Sequence, residues 1–480
     1  MRSLFCIIGI LAWSLTPNLL SAQNLNKRAQ TEFKVVFSPA PSSESHLEHV
    51  KQWIDQAQSS IDIAMYSMSR SSSDIIKAIQ AARSRQVRVR LLFETANSDS
   101  KSPEGTLSSQ MEDLGVDVRY INKIMHHKFA LIDARGSDLQ GEPRLITGSA
   151  NWTPSAATFY DENTVFVKGD LKLIQEYRRE FDNLWAHSRD FSWAGIESDL
   201  NTDPILLDTE QSMFSKAAFT SDNFRVTTSR YGYGFTEIQG RNTVSDEIVA
   251  QIKSARKSIK IASGHFRSHP IATALLQAMK EQPELDIQVY LDNQEYISYS
   301  GQLEQKQKRE LCLESADSAS ATEACYDRGY YYSYEAQAAG ISLRFKSYAY
   351  RWHYSYAPQM HHKYLIIDDH SVVTGSYNFS DNAEHATMEN ILIVSAEHAP
   401  GIVADFVANF TGMWDQNRDA LPALQQRIQT SDTIPLVFPA MALNWSELTA
   451  LKRSLVANCK PIHSDEFRKY PEKHTVCMRN

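Results

Sequence analysis

The sequence predicts an α/β protein built from two similar halves, each with a mostly parallel mixed sheet flanked by helices. Three observations carry this. The chain has 480 residues, which suits two domains of roughly 200 residues each. Short apolar or alternating runs are interleaved with amphipathic stretches, the pattern of βα units. The same elements then recur: Ile61 aligns with Ile259 and Val87 with Leu285, both at an offset of 198.

The N-terminus reads as an export signal, residues 1–22. Arg2 supplies a positive start, residues 4–13 are apolar but too short to span a bilayer comfortably, and Ser21 and Ala22 are small enough for cleavage. A periplasmic or extracellular location follows. No later stretch is long and apolar enough to cross a membrane. Beyond Cys6, inside the signal, the chain has Cys312, Cys325, Cys459 and Cys477. An even set in an exported chain predicts two disulfides, and pairing of sequence neighbours is expected.

The first half, residues 31–188, begins with a strand at Phe33 and an amphipathic stretch. A strand from Ser60, a helix over 74–83 and a strand over 87–94 follow. The second half, residues 223–418, repeats this from Phe224, with a strand from Ser258, a helix over 271–280 and a strand over 285–292. The offset then rises to 235 at His126 and His361, which places a 37-residue insertion within residues 293–359. That segment holds Cys312, Cys325 and a run of tyrosines. The offset falls to 227 at Asn151 and Asn378, so the first half has 8 extra residues in the loop between 134 and 144. Residues 189–222 read as a linker with a short helix near 209–218. Residues 419–480, proline-rich and carrying the last two cysteines, read as an appendage.

Two segments carry chemistry. The first is His126-His127-Lys128 with Asp133, followed by Thr147-Gly148-Ser149-Ala150-Asn151. The second is His361-His362-Lys363 with Asp368, followed by Thr374-Gly375-Ser376-Tyr377-Asn378. On strands, His126 and Lys128 share a face, as do His361 and Lys363, while Phe129, Leu131, Tyr364 and Ile366 point to core. An imidazole beside an ammonium suits an anionic phosphate. Ser149 with Asn151, and Ser376 with Asn378, can donate to its oxygens. Asp133 and Asp368 fall at strand ends, where aspartate also caps turns. Thr153 and Ser380 look like helix N-caps. By strand parity His127 and His362 point away from the site.

These residues resemble the phospholipase D superfamily, whose pattern is His-x-Lys-x4-Asp-x6-Gly-Ser-x-Asn. The second segment matches without a gap; the first departs only by the longer loop after Asp133. The resemblance implies a duplicated phospholipase D fold with pseudo-twofold symmetry and one active site between the halves. It further implies a catalytic set of His126, Lys128, Asp133, His361, Lys363 and Asp368. One histidine, taken as His126, attacks phosphorus and forms a phosphohistidine. The other protonates the leaving oxygen and then activates water. Glu162 and Glu389 match positions that hydrogen-bond the far imidazole nitrogen. No metal or other cofactor is implied, since lysines supply the positive charge.

The substrate is left open between two classes. A phospholipid at a membrane surface agrees with the net charge of −8 and with aromatic residues before the second segment. A nucleic acid, cleaved by a metal-independent secreted nuclease, is the alternative; there aromatics would stack bases and Arg344, Lys346 and Arg351 would track phosphates. A non-catalytic phosphate-binding module is disfavoured, because both motifs are complete. No protein partner is required, since one chain carries both motifs and a monomer suffices.

Overall fold

The computed structural model describes residues 31–135, 142–196, 215–230, 232–326 and 329–479. The expected export signal and most of the expected linker lie outside them. Each half is organised around one eight-stranded sheet. In the first, the order is Glu32–Ser38, Glu162–Lys168, Arg144–Gly148, Lys128–Ile132, Ser60–Met65, Arg88–Phe93, Asp117–Tyr120, Arg189–Asp190. In the second it is Ser215–Phe219, Asn390–Ser395, Ser371–Gly375, Lys363–Ile367, Ser258–Ser263, Asp286–Asp292, Ser342–Ala349, Val437–Asn444. The two orders correspond strand for strand, as duplication requires.

The expectation of mostly parallel sheets is corrected. Only the strands from Ser60, Arg88 and Asp117, and their counterparts from Ser258, Asp286 and Ser342, are parallel neighbours. Every other neighbour in the two sheets is antiparallel. Helices Ser73–Ser84 and His269–Glu281 provide the crossovers that parallel pairing needs. The motif strands have no such crossover: Lys128–Ile132 and Arg144–Gly148 are joined by a hairpin, which reverses the chain.

Among the described residues three large apolar clusters, and a small one around Tyr348, hold the molecule together. One lies under the helices of the first half and includes Val50, Ile54, Ile75, Ile79, Ala130 and Ile132. Its counterpart in the second half includes Ile248, Ile252, Ile271, Leu275, Leu365 and Ile367. The third joins the halves: Phe129 and Leu131 meet Tyr364 and Ile366 in one core with Phe181, Trp185, Phe406 and Phe410. The period of two along each motif strand therefore has a clear meaning. One face packs on the crossover-side helices of its own half, and the other enters the shared core, where Phe129 packs on Tyr177 and Phe181 and Tyr364 on Phe406. Burying that shared face fixes the two motifs relative to each other.

The ends of the repeat differ from expectation. The counterpart of Glu32–Ser38 is Ser215–Phe219, which pairs with Asn390–Ser395. The run from Phe224 instead forms a hairpin with Gly232–Glu237. Residues 215–218, expected as helix, are thus a sheet edge, where Ala218 and Phe219 are buried. Within the expected insertion, helices Tyr299–Ser315, Ala319–Tyr326 and Ser333–Ala338 are additions, but Ser342–Ala349 is a sheet strand. Within the expected appendage, Val437–Asn444 pairs antiparallel with Ser342–Ala349 and so completes the second sheet. The disulfides join sequence neighbours, Cys312 to Cys325 and Cys459 to Cys477. Among the described residues no helix is long and apolar enough to cross a membrane.

Candidate active site

The motif strands end side by side across the junction of the halves. Bridges at Asp161–Met360 and at Thr387–Ile124 and Met388–Met125 stitch the approaches together. The amide of His126 donates to the Met388 carbonyl and that of His361 to the Asp161 carbonyl, each at 3.0 Å. Each histidine backbone is therefore held by the opposite half.

The side chains cross in the same way. His126 Nδ1 lies 2.7 Å from Glu389 Oε1, and His361 Nδ1 lies 2.6 Å from Glu162 Oε1. Both glutamates are buried, while the His126 and His361 side chains keep 13% and 22% of their exposure. A carboxylate at Nδ1 fixes the proton there and leaves the Nε2 lone pair free. The adjacent asparagines cross too. Asn390 Nδ2 lies 2.9 Å from His127 Nδ1, and Asn163 Nδ2 lies 3.2 Å from His362 Nδ1. Thr147 Oγ1 donates to Asn390 Oδ1 and Thr374 Oγ1 to Asn163 Oδ1, again between halves. His127 and His362 are buried structural residues, as parity predicts.

The cluster is electrically tense. Burial, then the ammonium groups of both Lys128 and Lys363, hold His126 and His361 well below the usual histidine value. Burial lowers Lys128 to about 7 and Lys363 to about 8, although both glutamates oppose this. Burial pushes Glu162 and Glu389 up to about 7, opposed first by Lys363 and by Lys128 respectively. Groups so shifted by burial and by one another gather where charge is to be received or moved. Lys128 Nζ donates to the His126 carbonyl at 2.7 Å and Lys363 Nζ to the His361 carbonyl at 2.8 Å. Each ammonium retains two further donors.

Two expected assignments change. Ser149 and Ser376 do not face a ligand. The Ser149 hydroxyl accepts from the Asn163 backbone amide at 2.9 Å, and that of Ser376 accepts from the Asn390 backbone amide at 3.0 Å and from Asn390 Nδ2 at 3.2 Å. They hold the asparagine that follows each glutamate, and Asn163 and Asn390 reach His362 and His127 of the opposite half. Gly148 and Gly375 serve the same contact: a Cβ there would meet the Asn163 carbonyl at 2.3 Å or the Asn390 carbonyl at 2.2 Å. Asp133 and Asp368 are removed from the reacting set. Each sits past the far end of a five-residue motif strand, with positive φ. Asp133 accepts from the amides of Gln58, Ser59 and Ser60, and Asp368 from those of Arg256, Lys257 and Ser258. Their carboxylates tie strand to strand.

Asn151 and Asn378 occupy equivalent positions of the two halves, just after Ser149-Ala150 and Ser376-Tyr377. In both the side-chain Oδ1 is buried without a hydrogen-bond partner; since that oxygen only accepts, donation to a phosphate oxygen would fall to Nδ2. Thr153 and Ser380 cap the helices that follow, accepting from Ala156 and Ala383.

Sequence reasoning missed several supports. Glu94 and Asp292, also 198 apart, accept from the amides of Met125 and Met360 at 2.7 and 2.9 Å, just before each histidine. Tyr66 packs on His126 with ring centroids 4.5 Å apart, and Tyr160 lies 6.4 Å from His361. Tyr354, 68% exposed, packs edge-on against Trp352 with ring centroids 4.3 Å apart. The strand offset could have located Glu94 and Asp292; nothing in the sequence pointed to the tyrosines. Of the three cations offered as phosphate tracks, Arg344 pairs with Asp415 and Lys346 with Asp161. Among the described residues two groups of ligand-bearing side chains, Glu237 with Glu323 and His385, and Glu112 with Asp117 and Asp190, could hold a metal, and neither includes a motif residue.

Comparison with known proteins agrees with this geometry. A family model described as "Cardiolipin synthase, PLD-like domain" matches residues 50–185 and 248–414, once per half. A mitochondrial cardiolipin hydrolase of Chlamydomonas reinhardtii is 31% identical over 151 residues, covering 31% of this chain and 60% of that one. A phospholipase D of Rickettsia prowazekii is 28% identical over 172 residues, 36% of this chain and 76% of that one. The solved phospholipase D family member Nuc of Salmonella typhimurium is 26% identical, covering 33% of this chain and 97% of its own, with a TM-score of 0.28. This chain thus spans about 60% of the length of the first curated relatives it matches. With the model matched in both halves, and the paired His–Lys segments meeting at one junction, the chain belongs to the phospholipase D-like family.

Proposed function

We propose that the protein is an exported phosphodiesterase that hydrolyses phospholipids through a covalent phosphohistidine. The observation that carries this is the crossed arrangement itself: two imidazoles, each oriented by a carboxylate of the opposite half, beside two buried lysines. His126 Nε2 attacks phosphorus and the bond from phosphorus to the leaving oxygen breaks. His361 gives its Nε2 proton to that oxygen. Water then attacks the phosphohistidine, His361 takes a proton from it, and the phosphorus–nitrogen bond breaks. Lys128, Lys363, Asn151 and Asn378 stabilise the equatorial oxygens. In the free site both histidines are held neutral; an arriving phosphodiester anion favours the imidazolium form of His361.

The phospholipid reading is supported by exposed apolar and tyrosine side chains. Ile124 precedes His126 by two residues, and Phe159 adjoins Tyr160. With Tyr354 they are three large side chains left 46%, 40% and 68% exposed, two of them within two residues of a site residue in sequence. Such side chains suit a bilayer interface. The test is purified protein with EDTA on mixed phospholipid vesicles and on plasmid DNA. Release of phosphatidic acid is expected. Cleavage of DNA alone would assign the nuclease alternative, and inactivity on both would end the phosphodiesterase reading.

A further inference from the structure

A cavity of about 810 Å³ lies away from the motif residues, between the helical insertion and the C-terminal helix Trp445–Asn458. Its walls include Tyr296, Tyr350, Arg351, Trp445, Lys452 and Arg453. Among the described residues that line it none is Asp or Glu, and none of its three cations makes an ion pair. Uncompensated cations in one cavity repel each other, and an anion relieves that repulsion.

Two further features point to a ligand. Arg351 Nε is buried and has no hydrogen-bond partner. Such an orphaned donor is costly unless something binds it. Lys452 Nζ gives one hydrogen bond to the Tyr350 carbonyl at 2.8 Å, which leaves two donors. It stands 5.2 Å from the Tyr296 ring centroid and 5.1 Å from that of Tyr350, so the aromatic walls hold the ammonium in place. Tyr296 is itself fixed, stacked on Trp445 and bonded to Thr449 at 2.9 Å. Burial, then the neighbouring Arg351, lowers Lys452 to about 8, as expected where two cations face each other unpaired.

We infer that this cavity is a second anion site that takes a phosphate group, free or as the headgroup of an anionic lipid, apart from the histidine centre. Arg351 and Lys452 hold its oxygens and Arg453 adds charge at the edge. The site exists only in the second half, because its walls are the insertion and the C-terminal helix. It does not depend on the reading of the histidines.

The test uses the full mature protein. Calorimetry with inorganic phosphate should show two binding events, one at the histidines and one at the cavity. Arg351→Gln and Lys452→Met should each weaken the second by about tenfold or more, while turnover of bis(p-nitrophenyl) phosphate stays within about twofold. Arg453→Gln, at an exposed position, should weaken it by about threefold without threatening the fold. Sedimentation with phosphatidic acid and with phosphatidylcholine vesicles distinguishes the sources. Retention on the acidic vesicles, lost in the variants, assigns a lipid headgroup; phosphate binding without retention assigns free phosphate. Absence of any phosphate event that the three variants weaken, or binding to an oligonucleotide alone, would overturn the site, whereas a single event that they do weaken would support it and tell only against phosphate binding at the histidines.

Discussion

Glu389 Oε1 lies 2.7 Å from Nδ1 of His126, although 263 residues separate them. The reciprocal pair, Glu162 and His361, spans 199 residues at 2.6 Å. Neither half holds a finished site. Each lends the other a carboxylate and an asparagine, so the duplicated chain has one centre rather than two.

Glu389→Gln tests this exchange. The amide cannot enforce the Nδ1 proton, and kcat should fall by at least about 100-fold, as when a carboxylate behind a catalytic imidazole is lost. The pH profile gives a second readout. A nucleophilic His126 must be neutral, and it is held well below 6.5, so the acid limb of kcat/KM should lie below pH 6.5. Removing the carboxylate removes a group that favours imidazolium, which lowers the histidine further. The limb should therefore move to lower pH, even as the plateau falls. A limb moving upward would contradict the assigned contact.

The two histidines should fail differently. His361→Ala should still release a burst of nitrophenol from a p-nitrophenyl phosphodiester, because that leaving group needs little protonation, and should then accumulate phosphohistidine. His126→Ala should show neither. An adduct trapped in His126→Ala instead would exchange the roles. Near-full steady-state activity in either variant would contradict a shared centre.

Asp133→Ala should destabilise rather than inactivate. It strips three backbone amides of their acceptor and leaves alanine at φ 53°. A loss of about 3 kcal/mol is expected in urea unfolding, with kcat of the folded fraction within about threefold. Asp133→Asn, which tolerates that backbone region, should lose less. Abolished turnover in a fully folded Asp133→Ala protein would return this residue to the reacting set.

The disulfides close loops with sequence separations of 13 and 18 residues, remote from the motif strands. Replacing Cys459 and Cys477 by alanine should cost about 3 kcal/mol. The effect should appear as earlier unfolding of the C-terminal helix in hydrogen exchange, with kcat nearly unchanged. Non-reduced peptide mapping should recover both neighbour pairings.

Much of this was legible in the chain because it is a local property. The duplication, the His–Lys spacing, the helix caps at Thr153 and Ser380, and the period-two burial of Phe129, Leu131, Tyr364 and Ile366 depend only on neighbours a few residues away. Direction was not legible: alternating strands and helices suggested parallel sheets, but a hairpin after each motif strand reverses the chain, and loop geometry decides that. Nor were partners. The spacing of Glu162 from His126 is echoed by Glu389 from His361, which invites pairing within a half, yet the shared core brings each glutamate to the other half's imidazole. Ser149 is turned to the backbone of Asn163, and Asp133 lies at the far end of its strand. Sequence by itself determined which side chains were available and how often they repeat. Which of them meet was decided by burying one apolar face of each half against the other, an interaction with no signature in local spacing.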